Sequence, residues 1–242
     1  MHTLNKFIKS SRSVNIINIL PFRRYICSII GRAAPDFTAK CVMPNNDIKE
    51  VTLSSYFDNN QVNKESLGNK KLIENKQNGK FVCLLFYPLN FTFVCPTEII
   101  SFSRASEKFE ERNTQVLGIS VDSEYSHLAW KNIKPSQGGI GNISFPLISD
   151  IDKTISKRYG VLFKNSISLR GIFIIDNNGI VRSTIINDLP IGRNVEEVIR
   201  LIDAIRHHQK YGEVCPEGWQ IGKPAFIAQK ENLNKYLQKY DQ

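Results

Sequence analysis

No stretch of this 242-residue sequence approaches the roughly 18 consecutive apolar residues that a membrane-spanning helix needs, which excludes an integral membrane protein built on such helices. Cysteine is scarce and odd in number: five in the whole chain, too few for a fold stapled by disulfides. No Cys-x-x-Cys pair or Cys/His cluster occurs, so neither a zinc site nor a dithiol oxidoreductase is indicated. Internal repeats are missing too, and so are acidic residues before Asp36. What is present is a 41% hydrophobic share with 10% aromatics, enough to bury a core and to exclude wholesale disorder. The length suits one large domain or two small ones.

The net charge of +9 raises nucleic acid or an anionic membrane as a partner. Its placement answers differently. Lys6, Lys9, Arg12, Arg23, Arg24 and Arg32 all precede the first acidic residue. Wound as a helix, residues 4–14 put Leu4, Phe7, Ile8 and Val14 on one side and Lys6, Lys9 and Arg12 on the other, with Pro21 ending the helix. A basic, acid-free, amphipathic leader resembles an organellar transit peptide. Residues 1–33 are therefore expected to be a cleaved address, mitochondrial in the first place, with a plastid or a cytosolic location as alternatives. Most of the charge excess leaves with it, and neither nucleic acid nor membrane is expected as a partner.

Beyond the leader, apolar runs alternate with helical patterns. Val51–Leu53 reads as a short strand and Lys80–Tyr87 as a strand covered on both faces, being continuously apolar after Lys80. Further strands are expected at Gln115–Val121, Phe145–Ser149, Gly171–Asp176 and Ile180–Ile186, the last two joined through Asn177-Asn178-Gly179 as an antiparallel hairpin. Helical patterns fill residues 96–112, 123–133, 152–159 and 194–211. In the last of these Asn194 is placed to cap the start, with Glu197 three residues on, and Gly212 to end it. The pattern is that of an α/β or α+β domain with a mixed sheet. Residues 58–79, 22 residues of which six are Asn, read as an inserted surface loop.

The chemistry sits in FYPLNFTFVCPTE, residues 86–98. A buried strand precedes it and a helix follows. Pro96 suits the first helical position, which puts Cys95 at or beside the N-cap, facing unpaired N–H groups and the positive end of the helix dipole. That setting favours thiolate over thiol. Thr92, one turn upstream, is placed for its hydroxyl to bond the sulfur or an incoming oxygen.

Pro88, Thr92 and Cys95 in this spacing resemble the active site of the peroxiredoxins. Gly212-Glu213-Val214-Cys215-Pro216-Glu217-Gly218-Trp219 resembles the resolving-cysteine segment of the typical 2-Cys class, and the leader makes the likeness one to its mitochondrial type. Gly138–Gly141, Leu169-Arg170-Gly171 and Asp188–Arg193 match in between, so the resemblance runs from Ala34 to at least Pro224. It implies a thioredoxin-like α/β fold, a central mixed sheet flanked by helices, with a C-terminal arm exchanged across a dimer. Residues 34–200 would form the peroxidase domain and 201–242 the C-terminal helix and arm. It also implies a thioredoxin-dependent, thiol-based peroxidase that reduces hydrogen peroxide and organic hydroperoxides without a cofactor or metal. In that scheme Cys95 is the peroxidatic residue, Cys215 of the partner subunit resolves its sulfenic acid, and thioredoxin or a similar dithiol reduces the disulfide. Thr92 and Arg170 position the peroxide oxygens, Pro88 shields the sulfur, and Glu98 and Arg193 support them. The assembly implied is a homodimer, with a ring-shaped decamer of dimers as a further state. A redox-regulated holdase chaperone and a peroxide-signalling thiol relay are the alternative functions.

Three departures from that family stand out, the first being the 58–79 insertion itself. Asn90 occupies a position often held by Asp, and Tyr236-Leu237 stands where peroxide-sensitive members carry Tyr-Phe, which implies intermediate resistance to over-oxidation. Of the other cysteines, Cys83 reads as an inert core thiol, Cys41 stays unassigned and Cys27 belongs to the leader. His127 has nothing around it in sequence to mark it as an activating base, and His207 and His208 read as solvated residues at a helix C-terminus.

Overall fold

The computed structural model describes residues 29–57 and 79–240. The transit-peptide reading falls almost wholly outside the described residues, as do Cys27 and nearly all of the 58–79 insertion. The packed body starts earlier than residue 34. The Gly31 amide donates to the Val181 carbonyl, the Val181 amide donates to the Arg32 carbonyl, and Ala33 bridges Ile180, so residues read as leader already pair with the core.

Seven strands form one mixed sheet in the order β2-β1-β5-β4-β3-β8-β9. They are β1 (Thr38–Val42), β2 (Ile48–Thr52), β3 (Phe81–Phe86), β4 (Thr114–Ser120), β5 (Leu147–Ser149), β8 (Arg170–Ile175) and β9 (Val181–Asn187). Two two-residue strands, β6 (Leu162–Phe163) and β7 (Ile167–Ser168), make a separate ribbon. The centre, β3-β4-β5, is parallel, and β8 runs antiparallel to β3. Helices α1 (Cys95–Arg104), α2 (Ser106–Glu110), α3 (Glu124–Lys131), α4 (Thr154–Arg158), α5 (Val195–Tyr211) and α6 (Lys230–Leu237) complete the chain.

All six residues of β3 are buried, as an apolar run between two covered faces requires. Alternation divides them. Phe81, Cys83 and Leu85 enter a core with Ile99, Phe102, Val198 and Ile202 of α1 and α5. Val82, Leu84 and Phe86 enter the opposite core with Tyr159, Val161 and Phe173. Each such side chain contributes about 1.5–3 kcal/mol of apolar burial, so β3 is the pillar on which the following loop stands.

Most expected elements are present with shifted ends, and two differ. Strand β2 lies earlier than Val51–Leu53, because Leu53 opens a 3-10 turn through Tyr56. The helix over 96–112 is two helices, α1 and α2, broken at Ala105. Strands β1, β6 and β7 and helix α6 lie where no element was expected. In α5, Asn194 accepts from the Glu196 and Glu197 amides, but the Glu197 carboxylate turns away to Arg200 instead of closing a capping box. The hairpin does form through Asn177–Gly179, where Gly179 takes a left-handed φ of +76°.

Candidate active site

The chain leaves β3 at Tyr87 and reaches α1 through residues 88–94. Pro88 is buried at the start of this loop. Phe91 takes a left-handed φ of 55° and tilts its ring onto Trp130 at 5.9 Å, which turns the loop back toward the sheet. Cys95 is the first residue of α1, with Pro96 directly after it and no side chain capping the N-terminus. The free thiol is completely buried.

Arg170, the first residue of β8, meets it there: Nη1 lies 3.4 Å from Cys95 Sγ. The same nitrogen donates to Glu98 Oε2 at 2.7 Å, while Nε donates to the Leu189 carbonyl at 2.6 Å. Glu98, one turn into α1, is gripped again by Arg193, whose amide and Nε both donate to Oε1 at 2.8 Å and whose Nη2 donates to Oε2 at 2.9 Å. Arg193 Nη1 spends its remaining donors on the carbonyls of Phe86 and Gly171, the ends of β3 and β8. Burial pushes the Glu98 carboxyl up, but Arg193, with Arg170 behind it, overcomes that and holds it below its ordinary value. Removing one partner from a buried pair of this kind costs about 3–5 kcal/mol, so the cluster fixes the Arg170 guanidinium against the sulfur.

Cys95, Glu98, Arg170 and Arg193 thus come together in one place, with Pro88 buried in the loop that leads to Cys95. Thr92 differs from expectation in one respect: its hydroxyl donates to the Leu89 carbonyl at 3.0 Å rather than to the sulfur. Cys215 is not joined to Cys95 within the chain. It lies half-buried against α5, its thiol directed at the Ala204 carbonyl at 3.5 Å, and burial together with the nearby Glu213 carboxylate pushes that thiol up. Cys83 is inert, its thiol pushed up to about 12 by burial. Cys41 is buried beside Met43, its sulfur 3.6 Å from the thioether.

Sequence reasoning missed the polar network under the loop. Asn90 is buried; its amide donates to Asp122 and its side chain bonds Ser126, Tyr87 and His127. His127 Nε2 donates to the Ile148 carbonyl at 3.1 Å, so Nδ1 is the acceptor facing Asn90. Burial holds this histidine neutral, its pKa down to about 4. Only contacts across distant elements define the network, and no local spacing announces it. His207 and His208 are not simply solvated either: both bond Glu213. Among the described residues, no group of three or more His, Cys, Asp or Glu is arranged to hold a metal ion.

Known proteins share this arrangement of chain. The AhpC/TSA family matches residues 30–184, and the C-terminal domain of 1-Cys peroxiredoxin matches residues 204–240, a span that includes Cys215. Peroxiredoxin-1 of Gekko japonicus is 46% identical over 212 residues, 87% of this chain and 96% of that one. The reduced 2-Cys peroxiredoxin of Plasmodium vivax superposes with a TM-score of 0.78 at 46% identity, covering 88% of this chain and all of the other. The mitochondrial 2-Cys peroxiredoxin of Plasmodium falciparum gives 0.67 at 53% identity, covering 77% and 99%. With a thioredoxin-like mixed sheet, a cysteine opening the helix after β3 and relatives this close across most of its length, the chain belongs to the peroxiredoxins, the thiol-dependent peroxidases of the AhpC/TSA family.

Proposed function

We propose that this peroxiredoxin reduces hydrogen peroxide and organic hydroperoxides at Cys95 as a typical 2-Cys enzyme, an obligate homodimer recycled by thioredoxin or a similar dithiol protein. The observation that carries the reading is Arg170 Nη1 3.4 Å from the sulfur of a cysteine that opens a helix. The Cys95 thiolate attacks one peroxide oxygen; an S–O bond forms, the O–O bond breaks, and water or alcohol leaves after taking up a proton. Sulfur is oxidised by two electrons and the peroxide is reduced. Donors aimed at the breaking bond lower this barrier, which is the work of Arg170 and, through a rotated hydroxyl, of Thr92. Pro88 walls off the sulfur, while Glu98 and Arg193 hold Arg170 in place.

Cys215 of the partner subunit then attacks the sulfenic sulfur. The S–S bond forms, the S–OH bond breaks, and water leaves with the thiol proton. A dithiol reductant restores both thiols by exchange. Dimers assemble further into a decameric ring. Leu237 is 43% exposed in α6, a loosely held tail that supports intermediate resistance to over-oxidation.

A non-reducing gel after one equivalent of hydrogen peroxide tests the scheme. The wild type should run as a linked dimer; Cys95→Ser should show no oxidation, and Cys215→Ser should stop at an unlinked, singly oxidised chain. A linked dimer from Cys215→Ser would remove that residue from the mechanism. Mass spectra of the wild-type sample should show sulfinic acid at Cys95 only when peroxide is in large excess.

A further inference from the structure

The arm that carries Cys215 is held to α5 by the two histidines of its last turns. His207 Nε2 donates to Glu213 Oε2 at 2.7 Å, and His208 Nδ1 donates to the Glu213 carbonyl at 2.7 Å. The His207 ring also tilts against Trp219 at 4.6 Å and Tyr211 at 4.8 Å. Trp219 is buried, its indole N–H donating to the Lys223 carbonyl. Gly212, at a left-handed φ of 69°, turns the chain between the histidines and Glu213, so one residue is caught by backbone and side chain together. Cys215 follows two positions later, with its thiol against α5.

We propose that His207 is a positioning residue for the resolving thiol: with Glu213 it forms a clasp that keeps Cys215 docked on α5 and sets how fast that thiol is released to a partner's oxidised sulfur. The proposal rests on the resolving role of Cys215. Cys95 is fully buried and Cys215 is half-buried and hydrogen-bonded, so the two sulfurs of different chains cannot bond while both segments stay packed. Opening the arm breaks the Glu213 contacts and lifts the chain around Trp219. A charge-assisted bond whose side chains are 21% and 32% exposed is worth about five-fold in such an opening equilibrium. None of the groups bonded to Cys95 belongs to the clasp, so the reaction with peroxide is independent of it.

The test uses the full chain, one equivalent of hydrogen peroxide and rapid thiol blocking, with the linked dimer read on non-reducing gels. His207→Phe keeps a ring against Trp219 and Tyr211 but loses the donor; Glu213→Ala loses the acceptor. Each should form the disulfide about five-fold faster than wild type, with unchanged formation of the Cys95 sulfenic acid. The double variant should be no faster than either single one, and His207→Gln, which retains an N–H donor, should return toward the wild-type rate. Unchanged or slower linkage in both single variants, or effects that multiply in the double variant, would overturn the clasp. Cys215→Ser run alongside separates the two ideas: if it still links normally, the resolving role fails, whereas if it stalls and the His207 variants are silent, only the clasp fails.

Discussion

A cysteine of ordinary pKa near 8.5 is about 3% thiolate at neutral pH, so full ionisation gains about 30-fold in rate, near 2 kcal/mol. Anything beyond that must come from groups that bind the transition state more strongly than the bound peroxide. Arg170 is the group in place for this, with Nη1 shared between the sulfur and Glu98 and its Nε tied to the Leu189 carbonyl. Arg170→Ala should therefore slow peroxide reduction by well over 30-fold, measured by stopped flow at a pH where the sulfur is fully ionised. Complete recovery of the wild-type rate on raising the pH would reduce Arg170 to a tuner of ionisation. Thr92 is the second donor in the scheme, and its bond to Leu89 means it must turn when a peroxide enters.

Helix α3 and the loop before α1 are sewn together by residues that neither element needs for its own hydrogen bonds. His127 on α3 sits neutral between Asn90 and the Ile148 carbonyl, burial outweighing the pull of Asp122 and Glu124 toward the charged form. With its pKa near 4 in the fold against about 6.5 in an unfolded chain, the unfolded state binds the extra proton between those limits. Stability attributable to this histidine is complete above about pH 6.5 and falls as pH drops toward 4, by roughly 3 kcal/mol in all. Urea unfolding should show the wild type losing more stability than His127→Gln over that window, and parallel losses would remove the effect. The same elements show what was legible in the sequence. Strand β3 was readable because both faces are apolar, and Cys95 because a proline marks the helix start. Strand β1 was not, since its five residues are of mixed character and it enters the sheet by pairing with the equally mixed β2 on one side and with Leu147 and Ile148 far along the chain on the other. Helix α6 buries no residue: Leu233, Tyr236 and Leu237 share one face, but eight residues are too short a run to stand out as a helix. Arg170, Glu98 and Arg193 converge from a strand, a helix and the loop before α5, and only motif resemblance, not spacing, singled them out beforehand.

Most of the chain's excess of positive charge lies within its first 32 residues. Six basic residues precede the first acidic one, the composition that makes residues 1–33 resemble an organellar address. Fused to a fluorescent protein, those residues should direct it to mitochondria; a diffuse cytosolic signal would end the reading. Since Gly31 and Arg32 bond Val181, any cleavage that leaves the body intact should fall before them. The ion cluster beside Cys95 is unbalanced in charge. Two guanidiniums and one carboxylate, all nearly or fully buried, sum to one uncompensated positive charge. The thiolate that attacks peroxide in the proposed cycle would cancel it, whereas a sulfenic acid, being neutral, would not. Burying an unbalanced ion is costly, so the packing that suits the reduced sulfur becomes unfavourable once that sulfur has reacted. In the proposed cycle, oxidation would thus leave the buried guanidiniums one anion short and itself favour release of the helix start that carries Cys95.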